Sequence, residues 1–312
     1  MIVTYAKLKH VLSTKQFGDT RLLEQLCASA TQMELDDVAR TLPQPLRGRI
    51  LATLFYEPST RTRFSFEAAM QKLGGSVITA ENAKNSSSAT KGESIADTTR
   101  VVSGYADAIV MRHYEEGSAK KAADVSPVPV INAGDGVGEH PTQALADIFT
   151  IGKELGRVDG VKVALIGDLL NGRTIHSLLP LLALYHDVSI ILVSPKQLRL
   201  PPKYVGFLES KGVRFVETDK LAGAVRSADV VYVTRVQRER FLSSEEYEAV
   251  KDAYIIDAKI ADNLKSKAII MHALPRVNEI SPDVDANYRA AYFRQAKNAM
   301  YIRMALLNYL LA

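Results

Sequence analysis

Ser59-Thr60-Arg61-Thr62-Arg63 gathers three hydroxyls and two guanidinium groups into five consecutive residues. Hydroxyls and guanidinium forks are the side chains that hold phosphate, and arginine grips it through paired charge-assisted hydrogen bonds. The flanking residues say where the group sits. An apolar run from Ile50 to Tyr56 reads as a strand and stops at Pro58. Phe66, Ala69, Met70 and Leu73 then recur at helical spacing until Gly74-Gly75 ends the pattern. The group therefore lies at a strand-to-helix junction, where free backbone N–H groups also attract anions. The same residues also suit a capped helix with solvated arginines.

The remaining strand ends extend the pattern. Ala108 to Met111 reads as a buried strand ending in Arg112-His113, and Val128 to Ile131 as one ending in Asn132-Ala133-Gly134-Asp135-Gly136. His140-Pro141-Thr142-Gln143 opens a helix with proline at its first position, so His140 and Gln143 project together from that end. After Gly156 to Gly160 the strand–helix alternation resumes. Strands are expected at 161–166, 188–193, 213–216, 229–233, 253–256 and 268–271. Their unalternating apolar runs indicate parallel strands covered on both faces, and ligands of such sheets bind at the carboxyl ends. Those ends carry Arg61, Arg112, Arg173 and Arg235, with Asp135 and His272. That excess of arginine favours a polyanionic substrate or substrate pair. The segment from Glu81 to Gly92 reads as an exposed polar loop, and Arg21 to Leu42 as two helical patterns. Residues 288–311 form an apolar helix, more apolar than a free terminus requires, which suits a return to the first domain.

Several chemistries find no support. Gly167 to Thr174 has the spacing of a phosphate loop, but Asp168 would place a carboxylate in the cradle and Arg173 replaces the lysine. Arg173 can clamp a carboxylate or simply pair with an acidic neighbour. No G-x-G-x-x-G run, serine elbow or H-x-x-x-H pair occurs, so no cofactor and no metal are expected. The 312 residues carry a net charge of +4 without a long basic run, which fits a small anion better than nucleic acid. The lone Cys27 excludes a disulfide framework and suits a reducing compartment. The first residues lack a signal-peptide layout and Ser177 to Val193 is broken by His186-Asp187, so a cytoplasmic protein without membrane partners is expected.

Taken in order, Ser59-Thr60-Arg61-Thr62-Arg63, Arg112-His113, Asn132 to Gly136, His140 to Leu145, Gly172-Arg173-Thr174, Thr234-Arg235-Val236-Gln237 and Leu274-Pro275-Arg276 resemble the aspartate/ornithine transcarbamoylase family. The resemblance covers essentially the whole chain. Gly134 to His140 and Arg289 to Ala296 look most like the transcarbamoylase domain of eukaryotic multifunctional pyrimidine-synthesis proteins, so the chain can be part of a larger polypeptide.

The resemblance implies an α/β fold of two domains, each a mostly parallel sheet flanked by helices, with the C-terminal helix returning to the first domain. A carbamoyl-phosphate domain (1–139 plus 290–312) and an aspartate domain (140–289) would close over their substrates. It implies transfer of the carbamoyl group of carbamoyl phosphate to the amino group of L-aspartate. Ser59, Thr60, Arg61 and Thr62 would hold the phosphate. Arg112, His140 and Gln143 would contact the carbamoyl group, with Thr62 sharing its oxygen and the backbone of Leu274 and Pro275 facing its nitrogen. Arg173, Arg235 and Gln237 would bind the carboxylates of aspartate, and Glu57 would position those arginines on closure. Ser87 and Lys91 would reach a neighbouring subunit's site in a homotrimer. Two positions depart from the family pattern. Ala273 stands where proline is common, which loosens the turn before Leu274, and Leu169-Leu170-Asn171 lacks a lysine. A catalytically silent scaffold, or a transferase acting on another amino acid, are the alternatives those departures leave.

Overall fold

In the computed structural model, which describes residues 7–86, 88–241 and 243–312, two separate sheets form, every strand pair parallel. Strands β1 (Ile50–Phe55), β2 (Ser76–Glu81), β3 (Ala108–His113) and β4 (Val130–Asp135) make a sheet of order β2-β1-β3-β4. Strands β5 (Lys162–Ile166), β6 (Ser189–Val193), β7 (Arg214–Thr218), β8 (Val230–Val233) and β9 (Ile269–Met271) make the other, of order β7-β6-β5-β8-β9. Parallel neighbours need crossovers, and the intervening helices supply them. Unalternating runs such as Val163-Ala164-Leu165-Ile166 are wholly buried because both sheet faces are covered.

Each sheet has one place where the strand order reverses. The chain leaves β1 toward β2 and resumes at β3 on β1's other side; it leaves β5 toward β6 and β7 and resumes at β8. Such reversal points open a crevice beyond the strand ends, because the two flanking connections run in opposite directions. Arg112 stands at the end of β3, and Thr234-Arg235 follow β8.

The chain divides into two units, the first ending at Leu145 and resuming at Lys297, the second running from Ala146 to Ala296. Both crossings lie inside helices, Pro141–Leu155 and Tyr292–Leu311. A helix is a continuous hydrogen-bonded rod, so it carries the chain across without any break in sequence pattern. The last helix packs into the first unit: Tyr301 OH donates to Asp37 Oδ2 at 2.9 Å, and Ile302, Met304, Leu306 and Leu307 are buried. Burial of each large apolar side chain there contributes roughly 1.5–3 kcal/mol, which accounts for its apolar sequence.

Three sequence expectations are corrected. Residues 253–256 form no strand; only Ile256 makes an isolated bridge, to Ile280. The two helical patterns before Leu42 are one helix, Thr20–Ala39, capped by the Asp19 side chain and ended by left-handed Arg40. The polar loop after β2 holds a helical turn, Ala83–Ser86, and a 3-10 turn, Ser88–Lys91. Polar composition hid both, because short turns need no apolar stripe.

Candidate active site

At the first reversal point the helix Thr60–Lys72 begins directly beyond β1. Ser59 occupies its N-cap, yet the hydroxyl makes no capping bond, and no acidic residue lies in the first turn. Those features separate this helix start, a candidate anion cradle, from an ordinary capped helix: N–H groups, a hydroxyl and Arg61 stand at the positive end of the helix dipole. Partial burial lowers the Arg61 pKa. Arg63 does not join the cradle. Its guanidinium turns to Glu81 at 2.8 Å and Glu67 at 3.6 Å, because helical periodicity points it away from Arg61.

Thr62, in the first turn, is buried, and its Oγ1 lies 3.5 Å from Nε2 of His140, also buried. Arg112 Nη1 donates to the carbonyl of Ala133 at 3.1 Å, and Nη2 lies 3.5 Å from Glu57. The turn after β4 sets His140 in place. Asp135 accepts from Asn132 Nδ2 (3.0 Å), Glu139 N (3.1 Å) and Gly117 N (2.8 Å), so its carboxylate serves the turn. Gly136, at φ +50, lets the turn approach Tyr114: a Cβ there would lie 2.6 Å from the Tyr114 carbonyl oxygen. Glu139 receives Ser13 Oγ and Thr14 N, both at 2.7 Å. Gln143 lies partly buried three residues beyond His140. Lys91 closes its 3-10 turn and is exposed, and Ser87 lies outside the described residues.

The second reversal point brings β5 and β8 so close that a Cβ on Gly167, at φ +113, would meet the Thr234 carbonyl oxygen at 2.3 Å. Asp168 is fully buried and takes hydrogen bonds from Asn171 N (2.9 Å), Asn171 Nδ2 and Gln237 N (3.4 Å). Burial raises its pKa despite those bonds. The carboxylate that made a phosphate loop implausible thus builds the loop instead. Gln237 Nε2 donates to the Asn171 carbonyl at 2.9 Å, and Arg173 begins the helix Arg173–Leu182. His176 supports this loop from below, its Nε2–H on the Leu169 carbonyl at 2.8 Å and its ring stacked on Tyr204. Burial drops its pKa to about 4. Arg235 is held in a fork by Glu239 at 3.1 and 2.6 Å; that bond raises the pKa of Arg235 and lowers that of Glu239.

In the same unit, Leu274 adopts φ +54 ahead of a cis peptide to Pro275. The turn is held without proline at position 273. Leu274 N donates to His272 Nδ1 at 2.7 Å, His272 Nε2 donates to Glu279 at 2.8 Å, and Glu279 also accepts from Val277 N and Asn278 N. Burial pushes Glu279 up, but His272 and the backbone N–H donors together outweigh that and leave its pKa lowered. Arg276 beyond the turn is fixed by a fork to Asp285. Sequence reading missed Asp168, Glu239 and Glu279 as organisers, although Arg235-x-x-x-Glu239 was a readable i,i+4 pair. Among the described residues no group of three His, Cys, Asp or Glu side chains gathers to hold a metal ion.

Of the two parallel α/β units, one carries an uncapped helix start with hydroxyls and an arginine, and the other carries arginines at its reversal point. The family model for the carbamoyl-phosphate-binding domain of aspartate/ornithine carbamoyltransferases matches residues 9–153, and that for the Asp/Orn-binding domain matches residues 159–310. The chain belongs to the aspartate/ornithine carbamoyltransferase family. It is 53% identical over 306 residues to the chloroplastic aspartate carbamoyltransferase of Arabidopsis thaliana, covering 98% of this chain and 78% of that one. It is 51% identical to a segment of multifunctional protein pyr1-3 of Dictyostelium discoideum, covering 96% of this chain and 13% of that protein. The catalytic subunit of Methanocaldococcus jannaschii aspartate transcarbamoylase superposes with TM-score 0.90 at 48% identity, covering 97% and 98% of the two chains. Aspartate transcarbamoylase of Trypanosoma cruzi in complex with N-(phosphonacetyl)-L-aspartic acid gives TM-score 0.92 at 42% identity, over 97% and 96%.

Proposed function

We propose that this protein transfers the carbamoyl group of carbamoyl phosphate to the α-amine of L-aspartate, yielding N-carbamoyl-L-aspartate and phosphate. The observation that carries the reading is the helix start at Ser59–Thr62, uncapped and without an acidic residue in its first turn, with Thr62 set 3.5 Å from His140. Ser59, Thr60, Arg61 and Thr62 hold the phosphate. As the amine attacks, charge builds on the carbamoyl oxygen, and Thr62, Arg112 and His140 donate to it with Gln143 beside them. Such a pre-aimed donor lowers the barrier by about 3–4 kcal/mol. The departing phosphate can take the amine proton, so the chemistry needs no dedicated base. Arg173, Arg235 and Gln237 take the two carboxylates of aspartate, and the Leu274-Pro275 turn presents backbone groups to the carbamoyl nitrogen.

Three finer statements complete the reading. Lys91 and Ser87 serve a neighbouring subunit's site in a homotrimer, Glu57 shifts from Arg112 toward Arg173 and Arg235 when substrates are bound, and the protein works in the cytoplasm. The exposed Lys91, at the end of its own turn, supports the first, and the lone cysteine supports the last. Relatives of the chain include both chloroplastic enzymes and segments of multifunctional proteins, and cell fractionation distinguishes the compartments.

The deciding assay supplies carbamoyl phosphate with either L-aspartate or L-ornithine and measures the carbamoylated product. Product from ornithine and none from aspartate overturns the substrate; tight binding of a phosphonate–dicarboxylate bisubstrate analogue without turnover establishes a silent scaffold. Mixing Arg61→Ala with Lys91→Ala chains should regenerate activity, since mixed trimers contain intact sites. Absence of rescue in verified mixed trimers refutes sharing.

A further inference from the structure

The C-terminal helix brings a buried cation to the back of the phosphate-gripping helix. Arg303 is 2% exposed, and its Nη1 donates to Ser65 Oγ. Its guanidinium carbon stands 4.9 Å above the ring of Phe66, itself fully buried. Ser65 Oγ in turn donates to the backbone carbonyl of Thr62 at 2.9 Å. Thr62 is the residue whose hydroxyl lies 3.5 Å from His140 Nε2.

The direction of this chain follows from the donor inventory. A serine hydroxyl has one proton, and here it goes to Thr62; the remaining lone pairs of Ser65 need a donor, and arginine can only donate. Arg303 therefore fixes the Ser65 rotamer, and Ser65 fixes the first turns of the helix that carries Arg61 and Thr62. Burying a guanidinium is costly where a methionine of similar length would pack at no such cost. Lysine's compact point charge is also no equivalent for a guanidinium that lies over Phe66 while one N–H reaches Ser65. A polar residue placed at that cost, one serine away from a donor to the reacting oxygen, suits a positional task better than packing.

We propose that Arg303 is a positioning residue for the carbamoyl-oxygen donors, acting through Ser65 on Thr62. The inference rests on the carbamoyl-transfer reading. It also gives the returning helix a task beyond stability: the last residues of the chain tune the first anion site.

The test measures kcat, both KM values and Tm for the wild type, Arg303→Met, Arg303→Lys, Ser65→Ala and the Arg303→Met/Ser65→Ala double variant. Arg303→Met should lower kcat by roughly thirtyfold, with the aspartate KM within about twofold of wild type. Ser65→Ala should lower kcat by a smaller factor, and the double variant should be no worse than Arg303→Met, because both break one chain. Arg303→Lys should fail to restore kcat. A folded Arg303→Met protein with wild-type kcat, or single losses that multiply in the double variant, overturns the proposal. If Arg303→Met does not fold, Ser65→Ala and Arg303→Lys decide: wild-type kcat in both overturns it, reduced kcat with unchanged aspartate KM sustains it. Absence of N-carbamoyl-aspartate from the wild type instead refutes the underlying reading.

Discussion

On the proposed reading both reversal points hold an anion at strand ends, and their side chains are arranged for it in different ways. Beyond β1 and β3 two of the donors are buried, Thr62 and His140, which face each other, while Arg112 leans on a backbone carbonyl with Glu57 at 3.5 Å and Arg61 stays exposed at the helix start. Beyond β5 and β8 the cationic group is already forked to an acid, Arg235 to Glu239, and the loop under it stands on buried Asp168 and neutral His176. The first arrangement would suit charge that develops during the proposed transfer, where reorientation would raise the barrier. The second has an arginine restrained by its own carboxylate, suited to a charge that is permanent in the substrate. Catalytic loss should therefore concentrate in the first unit and binding loss in the second.

The largest expected effect breaks the first site. Thr62→Val removes a donor from the carbamoyl oxygen while keeping the side-chain shape, and kcat should fall by roughly 10²–10³-fold with the aspartate KM little changed. A rise in that KM with kcat intact would erase the proposed contrast. Next, Arg235→Ala should raise the aspartate KM by about ten- to a hundredfold, the worth of a charge-assisted pair. Glu239→Gln, which loosens the fork but leaves the charge, should do the same more weakly. Should Glu239→Gln depress kcat as severely as Thr62→Val, Glu239 would belong to the chemistry and not to binding.

Acid should find the second unit first. His176 is held at about 4 by burial, below its ordinary 6.5, so the unfolded chain binds a proton that the native state refuses. Its share of stability is complete above pH 6.5 and is lost as pH falls toward 4, by roughly 3 kcal/mol in all. Thermal unfolding followed from pH 8 to 4.5 should show that slope, and His176→Gln should flatten it while lowering Tm at pH 8. Smallest of all, Cys27, whose thiol burial pushes up to about 12, should resist alkylation at neutral pH in the native protein and react on unfolding. Rapid native-state alkylation would contradict its packing.

Much of this was legible in the chain. Unalternating apolar runs announced parallel strands, and reading only their carboxyl ends collected Arg61, Arg112, Arg173 and Arg235 before any coordinates. Errors fell where local pattern carries no long-range information. The 253–256 run is apolar enough for a strand but finds no partner beyond one bridge at Ile256, and strand identity depends on a partner. Arg63 shares a motif with Arg61 yet serves Glu81, since three- and four-residue helical neighbours, not sequence adjacency, share a face. Ala273 suggested a loose turn; the hydrogen bonds from His272 and Glu279 that hold it come from residues whose partners the sequence does not name.

The sequence by itself determined which chemistry is available: hydroxyls and guanidinium groups at strand ends, no thiol pair, no nucleotide loop, and a terminal helix too apolar to stay in water. Periodicity and donor type are local properties, so they survive without a fold. Only the tertiary structure decided which of those groups are aimed and which are restrained. It turned Thr62 toward His140, locked Arg235 to Glu239, converted Asp168 into a loop's foundation and set Arg303 behind Ser65. Aim and restraint depend on burial and on partners far away in the chain, and both exist only once the sheets and helices have packed.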